Sequence, residues 1–410
     1  MSRIASTPLA VSWVMASISG YGIYGLQIVM EYLRRGGKQV ILPSQPVLPR
    51  LDGLEGLSPL ARYRLEPYFE LSRRLSAWRG QNPEAILGFR HPVLHGCSAD
   101  FAGFPGQDKI WGEPNVACCA MEHVGCSEHG LKLSKNYDLF IAISRWNQQI
   151  LQSCELGGPT HLCYQGIDPV LFAPGAKSGL FSDRFVVFSG GKFEFRKGQD
   201  IVITAFKRFR EKHPDALLVA CWQNLMGSHP LPFQLAGHCE DVPEMAQDFG
   251  LRISEWILKQ GLPPDSFIDL SFTQNHMMPP VLRDCDVAIF PNRCEGGTNL
   301  VAMEAMACGI PTYVSYNTGQ KDLVDLIGCP AFSHQKEVRS APSVKTLQDW
   351  GETDVEEVVA AMESVYHRRE DARRDAERLS VKLREQWAWG PLNSKLLDIV
   401  YEHSVESKAA

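Results

Sequence analysis

Basic residues are not in excess in this chain. Its 41 Lys and Arg stand against 47 Asp and Glu, a formal net charge of −6, and that balance disfavours a nucleic-acid binder held by phosphate contacts. Long apolar runs are absent too: no stretch approaches the ~18 residues needed to span a bilayer. CxxC pairs are missing, and the 12 cysteines among 410 residues are scattered, far below the density of a disulfide scaffold. Such usage fits a reducing cytosol, and a cytoplasmic protein is expected. Low-complexity tracts and internal repeats are also lacking. What remains is 44% hydrophobic and 21% charged, with 34 Gly and 26 Pro, the composition of a globular protein long enough for two domains.

The chain alternates short apolar runs with helical stretches, the pattern of parallel α/β sheets. In the first half, strands are expected at residues 11–15, 39–42, 85–89, 116–120, 139–143 and 161–164. A helix at 26–35 is stopped by Gly36-Gly37, as a C-terminal glycine does. Arg3 followed by the apolar residues 9–16 imitates a signal peptide, but a first strand running into the glycines beyond it is the favoured reading. Residues 166–179, with Pro169, Pro174, Gly175 and Gly179, read as a linker. The alternation then resumes: strands at 185–189, 217–221, 267–270, 287–290 and 312–315, and helices at 200–212, 243–259 and 299–308. A helical tail dense in mixed charge runs from 355 to 384, as solvated faces do.

Three segments could carry chemistry. Gly20-Tyr21-Gly22-Ile23-Tyr24-Gly25 is a GxGxxG between a strand and a helix, where backbone N–H groups can meet a phosphate. The second strand ends Ile41-Leu42-Pro43-Ser44-Gln45 without the carboxylate that would bind a dinucleotide ribose, which weakens a nicotinamide oxidoreductase; a turn without ligand remains the alternative. The segment from Ser189 to Asp200 places Gly190-Gly191 beside Lys192, Arg196 and Lys197. Three cations within six residues at the end of a strand suit a diphosphate and would stabilise its departure; the plainer alternative is a solvated loop. The third runs Glu295-Gly296-Gly297-Thr298-Asn299-Leu300 through Glu304 to Gly309 and Pro311. It predicts a glycine loop and a helix capped near Thr298, whose N–H groups can take a phosphate or a sugar hydroxyl. Glu304 is the one charge on an apolar helix, so it faces solvent or finds donors such as vicinal sugar hydroxyls.

Two further clusters carry less. Asp284-Cys285-Asp286 spells a DxD, but it precedes a buried strand, which argues against a divalent metal there. Cys118, Cys119, His123, Cys126 and His129 have zinc-compatible ligand types without paired spacing, and ordinary packing cysteines are expected instead.

Together, Glu295 and Glu304, the Lys192/Lys197 loop, the N-terminal glycine loop, Tyr137-Asp138 through Ser144-Arg145-Trp146-Asn147, and Tyr164 through Asp168 resemble the retaining glycosyltransferases of family 4. The resemblance implies the GT-B fold: two Rossmann-like doubly wound domains facing a central cleft. It implies transfer of a sugar, with retention, from a UDP- or GDP-linked donor, without cofactor or metal. Lys192 and Lys197 fall on the basic pair that holds the diphosphate, and Glu304 on the residue that binds the donor ribose. Glu295 is expected near the donor sugar. Gly20, Gly22, Gly191, Arg196, Gly296, Gly297, Thr298, Asn299 and Leu300 complete the expected donor site. The resemblance also places a histidine or carboxylate after the strand at 116–120, where His123 is preferred and Glu122 held in reserve. Eight residues separate Glu295 from Glu304 where the family has seven, and Gly296-Gly297 can absorb the extra one.

The expected organisation is an acceptor domain at 1–175, a donor domain at 176–380 and a helical tail at 381–410 that returns to the first domain near Trp387-Ala388-Trp389-Gly390. The acceptor stays open among a sugar, a lipid-linked carrier, a small molecule and a protein. Arg34, Arg35 and Lys38 leave room for peripheral contact with the inner membrane face, although three cations make a thin patch. The rival functions are a sugar-nucleotide epimerase, a phosphorylase on the same fold, and a non-catalytic nucleotide-sugar-binding protein.

Overall fold

The computed structural model describes residues 4, 6–43, 57–224, 227–247, 250–339 and 347–409. Arg3, Ser44 and Gln45, used above, lie outside them. The chain forms two compact units. One comprises Met1–Gly166, Gln274–His276 and Trp387–Ala410; the other comprises Ile167–Thr273 and Met277–Gln386. The first boundary therefore falls at Gly166 rather than at 175, and the return falls at Trp387 rather than at 381.

The first unit is built on six parallel strands: β1 (Leu9–Val11), β2 (Val40–Ile41), β3 (Val93–Cys97), β4 (Asn115–Cys119), β5 (Leu139–Ala142) and β6 (Thr160–Leu162), in the spatial order β2-β1-β3-β4-β5-β6. β3 was not expected, because His95 and Gly96 interrupt its apolar run. His95 is buried there: its ring nitrogens meet the Ser12 hydroxyl at 3.1 Å and Asn115 Oδ1 at 3.0 Å. Burial pushes its pKa down to about 4, so it is a neutral strand residue. The expected strand at 85–89 shrinks to Leu87–Gly88, which pairs with Ile110–Trp111 outside the main sheet.

Helix α1 (Gly20–Arg34) follows β1, and Ser19 caps it by accepting from the Gly22 N–H. A second helix, α2 (Pro59–Gln81), was also missed; its buried residues are only Leu65, Phe69 and Ser72, too narrow a stripe to register as periodicity. The shorter α3 (Glu128–Ser134) and α4 (Arg145–Ser153) flank β5.

The C-terminal helix Trp389–Ala409 packs on α1: Tyr24 stacks on Trp389 and Tyr32 on Tyr401, and the Tyr401 hydroxyl donates to the carbonyls of Thr7 and Pro8. Arg35 bonds Asp398 at 2.6 Å and Arg34 bonds Glu31 at 2.6 Å. Two of the three cations named for a lipid surface therefore already have acidic partners. Among the described residues, no helix is long and apolar enough to cross a membrane.

The second unit repeats the theme with β7 (Phe185–Lys192), β8 (Ala216–Gln223), β9 (Phe267–Asp269), β10 (Val287–Phe290), β11 (Thr312–Ser315) and β12 (Ala331–Phe332), ordered β9-β8-β7-β10-β11-β12 and all parallel. This is the doubly wound order with its reversal between β7 and β10. Around the sheet lie α5 (Gln199–Lys212), α6 (Pro230–Ala236), α7 (Ile253–Lys259), α8 (Met278–Asp284), α9 (Leu300–Ala307), α10 (Val355–His367) and α11 (Arg369–Gln386). The helix expected over 243–259 is only its last seven residues, and the charged tail is two helices instead of one.

Gly22 has a steric explanation independent of any ligand: a Cβ there would lie 2.4 Å from the Ala16 carbonyl oxygen and 2.5 Å from its nitrogen. Both neighbours are backbone and cannot swing away. Gly22→Ala is expected to destabilise the first unit by about 1–3 kcal/mol, read as a lower melting temperature by circular dichroism; an unchanged transition would contradict this packing.

Candidate active site

The reversal between β7 and β10 directs the loops that leave both strands to the same place, outside their carboxyl ends. The first loop carries Lys192, Glu194, Arg196 and Lys197; the second carries Asn292, Arg293, Glu295 and the glycines before α9. They meet on Glu295, whose side chain is almost fully buried. Arg196 Nη1 donates to Glu295 Oε2 at 3.0 Å, while Lys197 Nζ and Asn292 Nδ2 both donate to Oε1. The Glu295 backbone is fixed as well: its N–H donates to Thr318 Oγ1 at 2.9 Å and its carbonyl accepts from Gly319 at 3.0 Å.

Of the three cations expected to gather, Arg196 and Lys197 do so on Glu295. Lys192 stays largely exposed, its ammonium 4.0 Å from Glu194. Glu194 also pairs with Arg196 at 2.7 Å. Burial pushes the Glu194 carboxyl up, but Arg196, Lys192 and Lys197 outweigh it and hold its pKa below the ordinary value. Burial likewise pushes the Lys197 ammonium down, against the attraction of Glu295. Lys192, Arg196 and Lys197 thus meet Glu194 and Glu295 at the strand ends, and these cations are the groups there with which a diphosphate can pair.

Glycine is needed at two points of the first loop. Gly191 has φ 120, and a side chain there would lie against the Lys197 stem at 3.8 Å. Gly198 has φ 68, and a Cβ would come within 2.2 Å of the Pro291 carbonyl oxygen, so only glycine lets the two loops touch.

Helix α9 begins at Leu300, not near Thr298. Its cap is Asn299, at φ 67, whose side chain accepts from the Ala302 N–H at 3.3 Å and donates to Gln320. The Thr298 hydroxyl turns inward to the Met303 sulfur instead. The irregular backbone of Gly296-Gly297-Thr298-Asn299 thus ends before the helix, and Glu304 sits in regular α9, buried on its inner side. Val301, in the first turn, lies against Gly190: a Cβ on that glycine would be 3.0 Å from it.

Sequence reasoning missed Arg293, which organises the whole cluster. It is fully buried, and so is Asp200, which it holds with two hydrogen bonds of 2.8 and 2.7 Å. Glu352 takes its Nε and Nη2, the Phe195 carbonyl accepts from Nη1 at 2.7 Å, and the Phe195 ring lies 4.0 Å from the guanidinium. Its own N–H donates to the Arg196 carbonyl at 2.7 Å. Burial would push this guanidinium down, but Asp200 and Glu352 overcome it and raise its pKa above the ordinary arginine value. The available signal was a lone arginine three residues after an apolar strand, which must be paired if buried.

The other expected site residues belong to the first unit. Gly20 and Gly22 open α1, as described. Glu122 and His123 follow β4 and are half-buried. Asn147, from α4, brackets the preceding residue by accepting from the Met121 N–H at 3.1 Å and donating to its carbonyl at 2.9 Å, which fixes where the segment leaves the sheet.

The cysteine expectation needs correction. Cys126 is neither a packing residue nor a metal ligand but is joined to Cys154 in a disulfide that ties the segment after β4 to the end of α4. The other ten cysteines are free. The zinc set therefore loses a member, and Cys118 and Cys119 lie buried inside β4. In the DxD, Asp284 accepts from Ser178 and Asp286 from Lys177 and the Val186 N–H, so both carboxylates serve the fold.

Residues 175–326 match the family described as glycosyl transferases group 1, and residues 271–396 match a family 4 glycosyltransferase of conflict systems. The chain is 26% identical over 262 residues to a GDP-mannose-dependent alpha-(1-6)-phosphatidylinositol monomannoside mannosyltransferase from Mycolicibacterium smegmatis; the match covers 59% of this chain and 58% of that relative, so it spans little more than half the relative's length. Among solved structures, a sucrose-phosphate synthase from Thermosynechococcus elongatus superposes with a TM-score of 0.60 at 16% identity, covering 97% of this chain and 98% of that one. HepE from Anabaena, in complex with UDP and glucose, gives 0.59 at 15% identity, covering 97% and 100%. These likenesses establish the GT-B fold.

Two outcomes test the buried network. Arg293→Met should cost about 3–5 kcal/mol, because it leaves Asp200 as an unpaired buried carboxylate, measured as a loss of thermal stability. Burial pushes the Glu352 carboxyl up, but bonds from His238 and Arg293 bring its pKa down to about 2 from the ordinary 4.5. A depressed carboxylate stabilises the fold above pH 4.5, and that contribution, up to about 3 kcal/mol, is lost as pH falls towards 2. Melting curves across this window should steepen less in Glu352→Gln; an identical acid limb would contradict the pairing.

Proposed function

We propose that this chain, a glycosyltransferase of the group 1, family 4 type that uses nucleotide sugars, moves a hexose from a GDP- or UDP-linked donor with retention and without a catalytic metal. The observation that carries this reading is the convergence of Arg196 and Lys197 on Glu295 at the sheet reversal, with eight residues between Glu295 and Glu304 of α9. Two fixed cations in a buried, low-dielectric site stabilise a departing diphosphate far better than they would in water, which removes the need for a divalent ion. In this reading Glu295 holds both cations in position, and Glu304 receives the ribose hydroxyls of the donor. Lys192, being exposed, reaches the diphosphate from the solvent side. The donor of the mannosyltransferase relative favours GDP-mannose as the first donor to try.

The acceptor hydroxyl attacks the anomeric carbon on the face from which the nucleotide diphosphate leaves. The C1–O bond to the phosphate breaks, the new glycosidic C–O bond forms, and the acceptor's proton passes to a phosphate oxygen of the leaving group. His123, with Glu122 in reserve, is assigned to the transferred sugar. The acceptor carries a hydroxyl on a sugar, a lipid-linked carrier, a small molecule or a protein.

The test is release of nucleotide diphosphate from GDP-mannose and UDP-glucose, with the anomeric configuration of the product read by NMR. Turnover should persist in EDTA. Lys197→Ala and Glu304→Ala should each lose at least about a hundredfold in turnover while melting as cooperatively as the parent. Near-normal rates in both variants would remove the site assignment; an isomerised but intact nucleotide sugar would point to an epimerase, and binding without turnover to a carrier.

A further inference from the structure

At the amino ends of the second sheet's strands, His213 ends α5 just before β8, while Glu363 and His367 stand one turn apart on α10. His213 Nε2 lies 2.8 Å and His367 Nε2 3.5 Å from Glu363 Oε2, and the ligand atoms of all three residues lie within 4.8 Å of one another. We propose that His213, Glu363 and His367 form a three-ligand site for a divalent transition ion of the zinc class, which clamps α5 to α10.

The ligand set selects the metal. Two imidazoles and one carboxylate suit zinc, cobalt or nickel, whereas calcium and magnesium want oxygen alone. Metal–ligand bonds of about 2.1 Å at a tetrahedral centre put the ligand atoms about 3.4 Å apart, and the separations of 2.8 and 3.5 Å bracket that spacing. The two supporting helices are packed rigidly. Phe209 and Tyr366 hold the His213 ring at centroid distances of 4.5 and 3.9 Å, which turns its Nε2 towards Glu363. The remaining Glu363 oxygen, Oε1, has no hydrogen-bond partner among the described residues; its nearest cation is the Lys212 ammonium at 3.5 Å. That lysine is mostly exposed and can withdraw into solvent. Water would complete the coordination on the solvent side, where His367 is open.

The place of the site in the fold gives its role. Helix α5 carries Asp200 at its start and His213 at its end, so an ion at one end would stiffen the helix that anchors Arg293 at the other. It lies at the amino ends of the strands, away from the loops after β7 and β10, and its ion would take no part in sugar transfer.

The protein, stripped with EDTA and desalted, should bind one equivalent of Co(II) tightly. The complex should show d–d absorption without the charge-transfer band of cysteine thiolate ligation. Zinc in excess should raise the melting temperature by several degrees. His367→Ala, at a largely exposed position, should leave the melting temperature of the metal-free protein within a degree or two of the parent and weaken binding more than about tenfold. Absence of a tight equivalent, a thiolate band, or undiminished binding in His367→Ala would each overturn the assignment.

Discussion

A guanidinium with no access to water has to be neutralised where it stands, and Arg293 meets that requirement by drawing three separate stretches of chain onto itself. Asp200 comes from the start of α5, Glu352 from the short strand before α10, and the carbonyls of Phe195 and Arg196 from the loop after β7. Removing the pair of charges together would cost little in principle, since buried ion pairs roughly balance their own desolvation. Their value is geometric. With Arg293 fixed, its backbone N–H holds the Arg196 carbonyl, and Glu295, two residues further along the same loop, is in place to bond Arg196 and Lys197.

The candidate site is thus layered. Fully buried charges sit beneath, the Glu295 group lies above them at the sheet reversal, and exposed Lys192 is outermost. Pre-set cations of this kind lower a barrier because they need not reorganise as charge develops. The same layering explains the glycines: Gly198 permits the contact of the two loops that Arg293 locks, and Gly191 takes a positive φ that a side chain would strain.

Much of this was readable in advance where local pattern and tertiary role coincide. Val287–Phe290 and Thr312–Ser315 are short apolar runs between turn residues, and both are strands with those bounds. Where the two part, reading failed. Val93–Cys97 is a central strand, but His95 looks polar until Ser12 and Asn115 are known to satisfy it. Helix α2 buries too little to leave a stripe. Arg293 and Glu352 lie 59 residues apart, so no local window could pair them. The same holds for Cys126 and Cys154, separated by 28 residues, which only the approach of the chain after β4 to the end of α4 brings together. The glycines after β1 show that one spacing can serve two ends: it suits phosphate and equally a helix passing close to backbone, and Gly22 lies against the Ala16 backbone.

The chain leaves the first unit at Gly166 and, apart from Gln274–His276, rejoins it at Trp387. Gly166 itself touches the backbone of Trp387 and Trp389, and Tyr164 stacks on Trp387. During synthesis, then, the ribosome releases the complete first sheet long before the helix that covers α1 exists. The apolar face around Tyr24 and Tyr32 must wait, through the making of the entire second unit, for Trp389 and Tyr401, so maturation of the amino-terminal half is timed by a segment made after the second unit.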